Sequence, residues 1–105
     1  MHAFDVLGDP VRRRILELLA QGERSSGAIG AIVQAEFGIT QPAVSQHLKV
    51  LKAAGLVADQ AVGTRRVYSV DSAGLAAIRD YFEQFWQQSL YRFRAAASQA
   101  IQEEK

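Results

Sequence analysis

Gln41, Ser45, Gln46 and Lys49 fall within nine residues, and Arg65 and Arg66 follow sixteen residues after Lys49. Glutamine can bond bidentately to an adenine edge, serine can contact a base or a phosphate, and lysine serves guanine or the backbone. Adjacent arginines suit phosphates or the minor groove. Together these side chains could read double-stranded DNA. The same residue types are ordinary on a solvated helix, and paired arginines also solubilise strand edges. Position decides between the readings.

The elements that position them can be read from the punctuation. Asp9 suits a helix N-cap and Pro10 the first helical position, where a missing N–H costs nothing. Ile15, Leu18 and Leu19 continue the helical spacing until Gln21-Gly22. Phe4, Val6 and Leu7 suggest a short helix before it. A turn at Gly22-Glu23-Arg24-Ser25 leads to a helix from Ser26 to Phe37, with Ile29, Ile32, Val33 and Phe37 at helical spacing and Gly38 as its stop. Thr40 is expected to cap a helix carrying Gln41 and Pro42 in its first turn, with Gly55 at its end. Val57 to Ala61 and Arg65 to Val70 read as short strands around Val62-Gly63-Thr64. Asp71 or Ser72 then starts a helix extending to about Glu103. The predicted class is mostly α with a small β-hairpin. Two helices across a tight turn followed by a hairpin make a winged helix-turn-helix.

On the helix after Thr40, Val44, Leu48 and Leu51 share an inward stripe at 100° per residue. Pro42, Gln46, Lys49 and Ala53 fall opposite, with Ser45 at the flank. From Gln41 to Arg66 the local charge is +3, although the chain as a whole carries only +1. His47 lies between core and surface: a packed helix histidine is one reading, a phosphate or base contact the other. No second metal ligand stands three or four residues away from it. Arg12-Arg13-Arg14 span too much helix to face one way, so at least one should pair with an acid such as Glu17 or Asp9.

The final helix, 72–103, is expected to span roughly 48 Å at 1.5 Å per residue. A 100-residue globule has a radius of gyration near 13 Å. Leu75, Ile78, Phe82, Phe85, Ser89, Phe93, Ala97 and Ala100 repeat every three or four residues, and Trp86 widens the seam. Six of the nine aromatics lie between Tyr81 and Phe93. Such a face calls for a cover. A second copy of the same helix would give a twofold dimer with Leu75, Ile78, Phe82, Phe85, Trp86 and Phe93 at its interface. The rival reading is a pocket for an apolar small-molecule effector.

The chain has 105 residues and 49% of them are hydrophobic, enough for one folded domain over 1–105, with a core at 1–70 and a wing at about 57–70. It contains no cysteine, which excludes thiolate metal sites, disulfides and cysteine nucleophiles. No apolar run approaches the ~20 residues of a membrane span, and no signal-like start is present, so a cytoplasmic protein without membrane attachment is expected. No Gly-rich phosphate loop or catalytic set is present, so neither an enzyme nor a cofactor is expected.

Phe4 to Leu16 (FDVLGDPVRRRIL) resembles the leading signature of the ArsR/SmtB repressors. Thr40 to Leu51 (TQPAVSQHLKVL) followed by Ala54-Gly55-Leu56-Val57 resembles their recognition helix and its exit, and Gly63-Thr64-Arg65-Arg66-Val67-Tyr68 their wing. The resemblance implies a homodimeric winged-helix repressor that leaves its operator when an inducer binds. It marks Gln41, Pro42, Ser45, Gln46 and His47 as the DNA-reading segment. The family's Cys-x-Cys metal site would fall at Ser25 and Gly27, neither a soft thiolate. Its other metal site needs histidine on the last helix, which has none. The chain thus resembles the cysteine-free, autorepressor-like branch, and no metal site is expected. The alternative function is a winged helix used for protein–protein contact. Gln41, Ser45 and Gln46 are the expected base contacts, and Lys49, Arg65 and Arg66 the phosphate contacts.

Overall fold

Capping residues divide the first half of the chain into helices. The computed structural model describes residues 3–103, with side chains for 5–101, so His2 and the Phe4 side chain lie outside the described residues. A first turn of helix, α1 (Ala3–Val6), precedes α2 (Pro10–Ala20). Asp9 caps α2 as expected: its carboxylate accepts from the Val11 and Arg12 amides at 2.8 and 3.3 Å. Val11, Ile15, Leu18 and Leu19 form the buried face of α2.

The three consecutive arginines separate as their 100° spacing requires. Arg12 donates to the Val6 carbonyl and Arg13 to the Leu7 carbonyl, both at 2.8 Å, anchoring the chain that leads into α2. Arg14 turns the other way and grips Glu36 through two parallel bonds of 2.8 and 2.9 Å, with Glu17 at 3.4 Å. The expected acidic partner Glu17 is therefore present. Glu36 is the stronger one, and it ties α2 to α3 (Ser26–Phe37).

Ser25 was expected in a turn. It lies instead in a two-residue strand, β1 (Arg24–Ser25), and also caps α3, its hydroxyl accepting from the Ala28 amide at 3.1 Å. Two residues are too few for a period-2 pattern, so this strand has no local signature. Gly38 ends α3, and the expected Thr40 cap starts α4 (Gln41–Ala53). Phe37 remains 38% exposed at the end of its helix, while Ile29 and Val33 are fully buried. Val44, Leu48 and Leu51 are at most 1% exposed, so the inner face of α4 is the expected one.

The wing consists of β2 (Val57–Val62) and β3 (Arg65–Val70). β3 pairs with β1 on its other side, giving an antiparallel sheet in the order β1-β3-β2 rather than a lone hairpin. β2 is one residue longer than expected and the connection correspondingly shorter, with Val62 facing Arg65. Gly63 takes φ +62° at the first of two turn residues while Thr64 stays out of the left-handed region, the pattern of a turn whose twist suits a hairpin.

Asp71 caps α5 (Ser72–Glu103), accepting from the Ala73 and Gly74 amides, while its own amide donates to the Leu56 carbonyl at 2.9 Å. Residues 1–75 form one compact unit, and residues 76–105 a second. In the second unit, α5 presents Tyr81, Phe82, Phe85, Trp86, Tyr91 and Phe93 to solvent, with Trp86 63% and Phe93 69% exposed. Tyr81 and Phe82 meet edge to face at 6.3 Å. Among the described residues, no helix is long and apolar enough to cross a membrane.

Within the first unit, Gly74 lies directly over the Gly55 carbonyl, so a Cβ there would collide with backbone. Gly74→Ala should destabilise the chain by about 1–3 kcal/mol. Gly27→Ala, with open space around the added carbon, should be neutral or stabilising by up to about 1 kcal/mol. Urea unfolding of the two variants checks the contrast.

Candidate nucleic-acid interface

Because Val44, Leu48 and Leu51 are locked inward, the rotation of α4 is fixed and its outer face follows. Pro42, Gln46, Lys49 and Ala53 are exposed, and Ser45 and His47 lie half-buried at the flanks. The side chains of Ser45, Gln46, His47 and Lys49 make no hydrogen bond or ion pair within the described residues, so their polar groups are available to a ligand. His47 therefore occupies the intermediate position expected of it.

Gln41 differs from expectation. Its carbonyl oxygen accepts from the Gln34 amide of α3 at 2.7 Å, and its amide group occupies the space that a Cβ on Gly30 would need. The residue sits at the first position of α4, where the chain has just turned away from α3, so its side chain reaches back across the turn. Gln41 thus fastens the two helices to each other, with one of its two polar ends already engaged. Only the packing of α3 against α4 reveals this.

The two wing arginines also part company. Adjacent residues in a strand point to opposite faces. Arg66 shares a face with Tyr68, which stands opposite Asp59 in the ladder, so Arg66 and Asp59 are diagonal neighbours. Their side chains meet at 3.1 Å, and Lys52 from the last turn of α4 reaches the other carboxylate oxygen at 2.7 Å. The Asp59 side chain, covered by these two cations, is 8% exposed. The Lys52 bond, with Arg66 adding to it, holds this carboxyl below the ordinary aspartate value of 3.8. Arg66, expected to be free for phosphates, is therefore already paired, whereas Arg65 has no partner within the described residues. Both arginines border an open recess with Thr64, Ser26 and Gly27, beside the start of α3.

By residue type alone, Asp59 is only a negative count against the local charge. The signal that finds it is the two-residue turn: it sets residue 59 opposite 68 and puts 66 on the diagonal.

A helix-turn-helix with a basic wing and an available polar face on its second helix is now complete. The family model for "Bacterial regulatory protein, arsR family" matches residues 9–59, from the α2 cap to the start of the wing. The HTH-type transcriptional regulator Rv2034 of Mycobacterium tuberculosis is 47% identical over 88 residues, covering 84% of this chain and 78% of that protein. The chain belongs to the ArsR family. This ArsR-family regulator is also 35% identical to the transcriptional repressor SdpR of Bacillus subtilis, over 70% of this chain and 78% of SdpR. Among solved structures it is similar to Mb0332 from Mycobacterium bovis, a homodimeric winged helix-turn-helix DNA-binding domain described as a possible ArsR-family regulator. That likeness has a TM-score of 0.61 at 31% identity, covering 82% of this chain and 76% of that one. At the position where the family resemblance would set a metal ligand, the ArsR-family chain has Ser25, whose hydroxyl caps α3.

The Asp59 cluster makes acid stability testable. A carboxyl held below its ordinary value stabilises the fold fully above the unfolded-state value, and that contribution is lost as pH falls through the folded value. Glu36, held low by its bonds to Arg14, adds in the same direction. Stability should therefore decline as pH drops below about 4, and Asp59→Asn and Glu36→Gln should each flatten that decline. Urea unfolding repeated across the acid range reads the outcome; parallel curves for parent and variants would contradict the pairing.

Proposed function

We propose that this ArsR-family regulator is a homodimeric repressor that reads a twofold-symmetric operator with α4 and grips the backbone with its wing, in the cytoplasm. The observation that carries the reading is the outer face of α4, where Gln46 and Lys49 are exposed and unbonded while the inner face is locked into the core. Gln46 and Ser45 contact base edges, Pro42 and His47 flank them, and Lys49 and Arg65 take phosphates. Arg65 suits a phosphate because it is exposed, makes no bond among the described residues and adjoins the start of α3. Gln41 contributes by holding α4 against α3.

Leu75, Ile78, Phe82, Phe85, Trp86 and Phe93 are assigned to the interface with a second copy. The exposure of the four aromatic members in a single chain supports this, since that much apolar surface is costly in water. Pairing of the last helices would set two α4 helices about one DNA turn apart, roughly 34 Å. The homodimeric state of Mb0332 and the repressor role of SdpR point the same way.

Three outcomes test the reading by mobility shift on DNA from the protein's own promoter. Gln46→Ala should relax sequence preference at a cost of about 1–3 kcal/mol. Arg65→Ala should weaken binding evenly across sequences and flatten the dependence of log affinity on log salt by about 1.8, about 0.9 for each of the dimer's two copies. Gln41→Ala should leave base preference intact. A promoter fragment bound no better than random DNA would favour a protein-contact module instead. In sedimentation equilibrium the chain should behave as twice its 11.5 kDa mass, and Phe85→Asp should yield the monomer.

A further inference from the structure

Between Gln41 and Arg66 the chain places four cations, Lys49, Lys52, Arg65 and Arg66, and a single anion, Asp59. The anion is not spread evenly among them. Lys52 Nζ and Arg66 Nη1 each take a separate oxygen of the Asp59 carboxylate, at 2.7 and 3.1 Å. The two cationic side chains are half-exposed, at 56% and 52%, yet the carboxylate they share is only 8% exposed. A phosphate that drew either cation away would have to compete with a charge-assisted bond that the cation already makes, at 2.7 Å for Lys52 and 3.1 Å for Arg66. Lys49 and Arg65 have no such restraint. Arg66 alternates with Arg65 along β3 and borders the same recess, but its guanidinium is bonded to Asp59.

We propose that Asp59 is a specificity-determining residue, which holds Lys52 and Arg66 on its carboxylate and so withholds two of the segment's four cations from the DNA backbone. Phosphate attraction carries no sequence information, and every added contact strengthens binding to all DNA alike. With the two cations withheld, discrimination depends more heavily on the base contacts of α4. The inference rests on the DNA-reading assignment made above for α4 and the wing.

The test compares the full-length parent chain with Asp59→Asn, on a promoter fragment and on random DNA of equal length, across a salt series. The variant should bind random DNA more tightly. Its log-affinity slope against log salt should steepen by about 0.9 for each cation released. Between about 50 and 200 mM salt, that is about a 3.5-fold larger fall in affinity per cation. The ratio of promoter to random affinity should fall. Adding Arg66→Gln to Asp59→Asn should remove the share of one cation per protomer, two per dimer, from the steepening. Asp59→Ser, which also lacks the charge, takes the place of Asp59→Asn should that variant melt at the assay temperature. Unchanged slope, or weaker binding to both DNAs in a variant that melts like the parent, overturns the proposal and makes Asp59 a brace for the wing. A parent chain that binds promoter and random DNA equally overturns the DNA-reading assignment itself.

Discussion

The burial of Val44, Leu48 and Leu51 is the constraint on which the rest of the molecule depends. With these three side chains at most 1% exposed, α4 has one allowed rotation, and a helix has no separate freedom for its other face. The exposure of Gln46 and Lys49 follows from that packing rather than from anything those residues do. A polar side chain that makes no bond within the chain is unusual in a core. On the far side of a packed helix it is simply exposed, as Gln46 and Lys49 are.

Around this helix the remaining contacts are braces between neighbours. Arg14 and Glu36 join α2 to α3, Gln34 and Gln41 join α3 to α4, and Lys52, Asp59 and Arg66 join α4 to both strands of the wing. Each is short, polar and near the surface, so none replaces the apolar core as the source of stability. Their effect is geometric. Each fixes the direction of one contact between neighbouring elements, which a non-directional apolar contact does not specify.

The second unit follows a different rule. In residues 76–101 the aromatic side chains are exposed while Ile78 and Leu90 are half-buried, and the regular spacing of Phe82, Phe85 and Phe93 organises them into a stripe without covering it. The chain therefore contains a folded core and a helix whose aromatic side chains are exposed. The two have separate energetic requirements.

Local chemistry determined the helices and their limits. Asp9, Thr40 and Gly38 act within four residues of themselves, and the 3.6-residue period of Ile15, Leu18, Val44, Leu48 and Leu51 is a property of the chain alone. The outer face of α4, with Ser45, Gln46 and Lys49, was legible for the same reason. The short strand at Arg24–Ser25 was not, since its partner, β3, lies more than forty residues away and two residues carry no pattern of their own. Nor was the fate of Gln41, which is set by an amide on another helix. The wing shows the boundary most sharply. A three-residue turn would have put Arg65, not Arg66, on the face and diagonal of Asp59, because shifting a strand by one residue exchanges its faces. The sequence determined that two arginines follow a glycine turn. Only the register of β2 against β3, set by a turn of two residues, decided which arginine is paired and which is left to meet a partner.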